Sequence, residues 1–427
     1  MREYLSQFDS VDRRQLLEWS ARSMLGVSLL PALGSVVAAA PGKGGKAKRL
    51  IYLYMAGAMS HLDTFDLKPG HKNQGETRGI KTNVPGKQIS QYLPTLATQF
   101  DQMVAIRSMH TETGAHEQGE YLMRTSYKQV ATTRHPSMGP WIQKFRGRQN
   151  KALPDTVTIS PPARHPAAGF FDPTFSPLPI GDPNRGLENT TPPAYLMKGS
   201  FDRRMTLINK FGKRFRDKYK VKKVQAYTDF YSQARTLQSS GLLKMFDLNE
   251  EKNAVRDRYG RDPFGQGCLL ARRLIESKIP CVEVAVGGWD MHNGIFGAGA
   301  MPRRGGIMDQ AVGNLLKDLK DRGLLDETLV VLTTEFGRTP VINQNAGRDH
   351  HPAAFSAMLA GGGIKGGQFY GSSDEAGVNV DEDGVAPADL NATIASALGL
   401  PLDKVVHSPT GRPFKVAHDG EPITKLF

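Results

Sequence analysis

Cysteine is nearly absent: the 427 residues hold two, Cys268 and Cys281, so no disulfide framework can be built on the chain. Cys281 stands in an apolar run and reads as a buried strand residue. Acidic residues are the minority, 42 against 55 Lys and Arg, for a net charge of +13 and a pI near 9.6. That balance favours anionic partners: phosphorylated or sulfated molecules, polyanions, membrane surfaces. The chain has no RNP-like aromatic motif, no zinc-finger spacing and no basic leucine zipper, so the charge is not read as nucleic-acid binding. No GxGxxG stands in a strand–turn–helix setting, which removes the dinucleotide fingerprint. No stable membrane span is expected either: the apolar stretch from Met24 to Ala40 is ~17 residues with a proline inside, short for an anchor.

What is present is a globular, loop-rich composition: 39% hydrophobic residues, 45 Gly and 27 Pro. It suits one large α/β domain or two ordinary ones. Residues 1–45 read as an export segment and linker. Arg13 and Arg14 form a twin-arginine pair ahead of Leu16 and Leu17, and the Met24–Ala40 stretch ends in three alanines. This pattern predicts passage through the Tat translocase to the periplasm or cell surface, and it leaves 46–427 as the folded α/β part.

The densest chemistry lies in Thr328 to Pro352, TLVVLTTEFGRTPVINQNAGRDHHP. Thr328 to Thr334 is apolar and β-branched, a buried strand by pattern. At its exit stand Glu335, Gly337 and Arg338, then Asp349, His350 and His351. Acid, guanidinium and imidazole groups gathered at one strand end point to metal-and-anion chemistry; a dense structural network is the other reading. Two further strand exits carry similar groups. Leu50 to Met55 runs into AGAMSHLDTFDLKPG, which holds Ser60, His61, Asp63 and Asp66. Ser60 is a candidate nucleophile or anion contact, while His61 and Asp63 are candidate binding groups. Val282 to Val286 ends in GGWDMHN, where Asp290 and His292 stand two apart. In an extended segment that spacing puts both on one side, a donor pair suited to Zn, Mn or Fe. His110 and His116 bracket a loop, with a helix starting at His116. Helices are also predicted over Ile89–Phe100, Phe201–Lys223, Val224–Leu243, Asn253–Lys278, Gly306–Gly323 and Pro387–Leu398. Strands are predicted at Met103–Ile106 and Phe355–Leu359, and a proline-rich loop over 161–197. Phe201 to Lys223 carries ten Lys or Arg against two Asp, either a solvated face or a landing patch for an anionic polymer.

Taken together, SHLDTFDLKPG, GGWDMH, TEFGRTP, GRDHHP and LAGGGIKGG resemble the DUF1501 family of exported bacterial proteins, which is similar to the alkaline phosphatase/sulfatase superfamily. The resemblance implies a three-layer α/β/α sandwich with a mostly parallel central sheet and divalent metal at its carboxyl edge. It also implies hydrolysis of phosphate or sulfate esters, on an anionic small molecule or polysaccharide. By this resemblance the metal ligands are drawn from Asp290, His292, Glu335, Asp349, His350, His351 and Asp63. Ser60 and Arg338 become the catalytic pair, and His61 and His116 contact substrate. Three features depart from the superfamily pattern. Phe336 stands where a histidine ligand is expected. The first strand ends Met55-Ala56-Gly57 without the usual Asp-Gly, so Asp63 or Asp66 would have to substitute. Ser160 to Arg164, SPPAR, fits a sulfatase motif only superficially, too far past the first strand. One metal, a rearranged pair and none all stay open, as does a non-catalytic binding protein for an anionic polymer.

Overall fold

The structure is a computed structural model and describes residues 45–149, 153–188, 200–218 and 242–427. The predicted export segment lies outside these residues except for its last position, as does most of the predicted helix Val224–Leu243.

Eight strands form the central sheet. They are β1 (Arg49–Met55), β2 (Met103–Met109), β3 (Thr156–Ile159), β4 (Leu178–Ile180), β5 (Cys281–Val286), β6 (Thr328–Thr333), β7 (Phe355–Ala360) and β8 (Gln368–Tyr370). Their order is β8-β2-β7-β6-β1-β5-β3-β4. All neighbours run parallel except those of β7, which is antiparallel to both β2 and β6. The sheet is buried on both faces, which explains the unbroken apolar runs of its central strands. Along β1, Ile51, Leu53 and Met55 enter one core, while Leu50, Tyr52 and Tyr54 enter the other. Helices Pro263–Glu276 and Met301–Asp321 line the first core; His116–Thr125, Met138–Arg146 and Pro387–Ala397 line the second. The expected three-layer α/β sandwich is therefore present.

Some predicted elements change. Ile89–Phe100 is not one helix: Ile89 pairs in a small hairpin and only Pro94–Ala97 is α-helical, since Pro94 can begin a helix but not sit within one. Asn253–Lys278 is broken at Gly260, and Asp262 caps a new helix whose first residue is Pro263. The helix predicted from Gly306 begins at Met301. Part of the 161–197 loop is the edge strand β4.

The reversal at β7 decides where the site forms. β1, β5 and β6 all end at one edge of the sheet. Because β7 runs the other way, the chain leaving β6 must return to that same edge before it can enter β7. Residues 334–354 are thereby confined there. Within them a two-stranded ribbon sets Arg338 opposite His350 and Gly337 opposite His351. Glycine is required at two contacts with the β5 exit. Gly57 has φ +111, and a Cβ there would lie 2.6 Å from the Asp290 amide nitrogen; a Cβ on Gly347 would lie 2.1 Å from the His292 backbone.

Candidate metal centre

Four side chains converge at this edge on a single carboxylate oxygen, Oδ1 of Asp290. The Nε2 atoms of His292, His350 and His116 lie 3.0, 3.3 and 3.5 Å from it, and the Arg338 guanidinium donates to it. His292 Nε2 also lies 3.0 Å from His350 Nε2. His116, Asp290 and His350 place one donor atom each within 4.8 Å of one another.

The opposite nitrogen of each ring fixes what the Nε2 atoms are. His350 Nδ1 is 2.7 Å from the Gly114 carbonyl, which can only accept, so Nδ1 carries the proton. His116 Nδ1 donates to Glu335 Oε1 at 2.6 Å and His292 Nδ1 to Asp349 Oδ1 at 2.7 Å. In the neutral rings all three Nε2 atoms therefore present lone pairs toward a carboxylate. The Nε2 of His116 is buried without a hydrogen-bond partner. Lone pairs so crowded call for a cation or for protons among them, and hard carboxylate plus imidazole is a divalent-metal donor set. The outer acceptors Glu335, Asp349 and the Gly114 carbonyl match the arrangement by which metal-binding histidines are usually oriented.

The Asp290 and Asp349 carboxylates are held ionised, and His116 is biased toward its protonated form. Burial acts to raise the Asp290 pKa, but the Arg338 hydrogen bond and the charges of Arg338, His116 and His292 outweigh it and hold the carboxyl at about 2. The hydrogen bond to Glu335 raises the His116 pKa against the effect of burial. The His292 hydrogen bond holds Asp349 below its ordinary value. Phe336, in the position where a histidine would be expected, packs its ring 5.0 Å from His116 and 4.9 Å from His350, an apolar wall to the cluster.

Several assignments must be corrected. Glu335 is fully buried, and its oxygens are taken by the Gly57 amide, the Tyr54 and Thr334 hydroxyls and His116; it orients the His116 ring and has no oxygen left for an ion. Asp349 has the same part toward His292, with Asn343 as its second donor. Asp63 is locked in a fully buried pair with Arg348 at 2.8 Å and accepts from Thr77 and from Ser60, so neither a metal nor a substrate reaches it. Ser60 is 3% exposed and spends its hydroxyl proton on Asp63, which removes it as the nucleophile. Asp66 is buried between Lys68 and Ser373. His61 and His351 stack on each other and donate to the carbonyls of Gly377 and Val378; neither joins the cluster. Arg338 binds the Ala58, Gly57 and Arg348 carbonyls in addition to Asp290, so it clamps loops together and is not a two-pronged anion grip.

His116, assigned above to substrate, instead belongs with Asp290, His292 and His350; its place at the first turn of a helix following a strand exit was the available signal. Arg348 was missed, although it stands inside GRDHHP. A cavity of about 340 Å³ adjoins the cluster, lined by His116, Glu120, Arg124 and Arg164. Arg164, from the SPPAR stretch, is 72% exposed and pairs with Glu117. A larger cavity, about 990 Å³, lies against Leu122 and Ser126 near the far end of that helix and holds none of the four donors.

The arrangement of elements is similar to several solved proteins. They include a protein in the alkaline phosphatase superfamily from Vibrio parahaemolyticus (10% identity, 91% of this chain and 72% of that one, TM-score 0.43). The lipoteichoic acid synthase LtaP from Listeria monocytogenes is 10% identical, over 85% and 74% of the two chains, with a TM-score of 0.38. Alkaline phosphatase from the Antarctic bacterium TAB5 is 13% identical, over 76% and 95%, with a TM-score of 0.32. Likeness at this level carries no activity across to the chain. No curated protein matches it in sequence. The family profile "Protein of unknown function (DUF1501)" matches residues 47–427, and the chain belongs to that family.

Proposed function

We propose that this protein is an exported metal-dependent hydrolase of phosphate or sulfate esters, holding a divalent ion (Zn, Mn or Fe) through Asp290, His116, His350 and His292. What supports it is the convergence of three outward-anchored imidazoles on one carboxylate oxygen. The ester class rests on the motif resemblance; the cavity beside His116 offers room for a ligand, its Arg124 and Arg164 balanced by Glu120 and Glu117. When bound, such an ion supplies polarisation of the ester oxygen and a lower pKa for water. The chain's own residues do the rest. Glu335 and Asp349 hold two rings in their ligating tautomer. Arg338 keeps Asp290 ionised and aimed into the cluster. Phe336 keeps one side dry. With Ser60 buried, the attacking group is water. Export by the twin-arginine route to the periplasm or surface belongs to the same proposal and rests on the sequence of residues 1–45 alone.

The test is elemental analysis of protein purified without chelators, paired with a panel of phosphate and sulfate esters. The expected result is bound divalent metal that disappears in Asp290→Asn and His350→Ala, together with ester turnover lost in the same variants. Absence of any bound or added-back metal would overturn the proposal. Turnover that survives Asp290→Asn would overturn it as well.

A further inference from the structure

A different surface carries an independent inference. Helix Ser200–Lys218 spans 19 residues. Leu207, Ile208 and Phe211 on it are 50%, 53% and 72% exposed. Spacings of three and four residues put Leu207 and Ile208 on the same face as Phe211. Three large apolar side chains left in solvent side by side are uncommon on a soluble surface and mark a contact face. The exposed charges along the helix are mostly positive. Arg203, Arg204, Lys210, Lys213 and Lys218 are exposed along the same helix, against exposed Asp217. Arg204 sits three residues before Leu207, so it flanks the apolar face directly.

We infer that this helix docks the protein on an anionic lipid surface, with Leu207, Ile208 and Phe211 entering the interface and the surrounding cations meeting lipid phosphates. Pattern and length are those of a helix that lies in a membrane plane: a basic polar side, a Phe/Leu/Ile side, and low overall hydropathy. No helix among the described residues is long and apolar enough to cross a membrane, so the contact is one of lying on the bilayer, not spanning it. A soluble polyanion would use the cations but gain nothing from a phenylalanine 72% exposed, and that contrast chooses lipid over polysaccharide. The cationic flank adds attraction that weakens as salt rises.

The experiment is co-sedimentation of the full chain with vesicles of phosphatidylcholine alone and of phosphatidylcholine mixed equally with phosphatidylglycerol. Dextran sulfate retention is measured in parallel. The expected result is binding to the anionic vesicles only. It should weaken at least about tenfold in Leu207→Ser/Phe211→Ser and also in Lys210→Glu/Lys213→Glu. Both pairs of substitutions lie on exposed positions, and circular dichroism checks that each variant is folded. Dextran sulfate retention should fall only in the charge variant. Vesicle binding that the apolar variant leaves unchanged would overturn the inference. Retention on dextran sulfate without any vesicle binding would overturn it in favour of a polysaccharide. Because metal content and ester turnover do not enter this assay, its failure is separate from a failure of the proposed hydrolase.

Discussion

His61 offers a quantitative test of the packing beneath the site. Its ring is fully buried, and Nε2 donates to the Gly377 carbonyl at 2.9 Å while Nδ1 finds no partner. Burial lowers its pKa to about 3, the Gly377 hydrogen bond and Asp63 opposing this only partly. The unfolded chain titrates at the ordinary value, ~6.5. Between those values the unfolded state binds more protons than the folded one, so stability falls as pH falls through that window and is fully present above it. Lowering the pH from 8 to 5.5 therefore costs about 1.4 kcal/mol through this one residue. In His61→Gln, the amide can still donate to Gly377 but cannot titrate. The other histidines contribute equally to both proteins, so the quantity to measure is the difference between them. With an unfolding entropy near ~2 cal/mol/K per residue, the melting temperature of the wild type should fall about 2 °C further than that of the variant between pH 8 and 5.5. Identical pH dependence in the two proteins would refute the neutral, buried state assigned to His61.

Two further outcomes are expected. Gly57→Ala forces a side chain into a backbone conformation with φ +111 and onto the Asp290 amide; it should destabilise the chain by about 3 kcal/mol and lower its metal content, checked by thermal melting and elemental analysis. Cys268 and Cys281 are both buried, and burial raises both thiol pKa values, so iodoacetamide should modify neither in the native protein and both in urea, as read by intact mass.

The sheet was legible because its strands are buried on both faces. Leu50–Met55, Val282–Val286 and Thr328–Thr333 are short, mostly apolar runs, and their length and β-branched content favour strand over buried helix. Ile89–Phe100 misled because its apolar spacing mimics a helix while serving a hairpin and a single helical turn. At the site, the segments singled out in sequence are ones the structure gathers at one sheet edge, but the contacts within them were not legible. Whether a carboxylate meets an ion or is consumed by an arginine is decided by residues hundreds of positions away: Asp63 meets Arg348 285 residues later, and Glu335 meets His116 219 residues earlier. Glu335 and Asp290 look alike as acids at strand exits. The Tyr54 and Thr334 hydroxyls, the Gly57 amide and His116, filling the oxygens of Glu335, set it apart from Asp290. His116 was undervalued for the same reason: its place at a helix start after a strand exit was a local signal, but the two segments its ring meets are distant in sequence.

That scattering has a consequence for the metal binding proposed above. His116 follows β2, Asp290 and His292 follow β5, and His350 arrives only on the return toward β7. No contiguous peptide offers more than a fraction of the donors, and they meet only once β1 is flanked by both β5 and β6. Ion affinity is then a property of the completed sheet, and any free energy gained on binding is added to folding as a whole. A half-assembled chain would compete poorly for metal, so under the proposed function the compartment in which the sheet closes would select the ion.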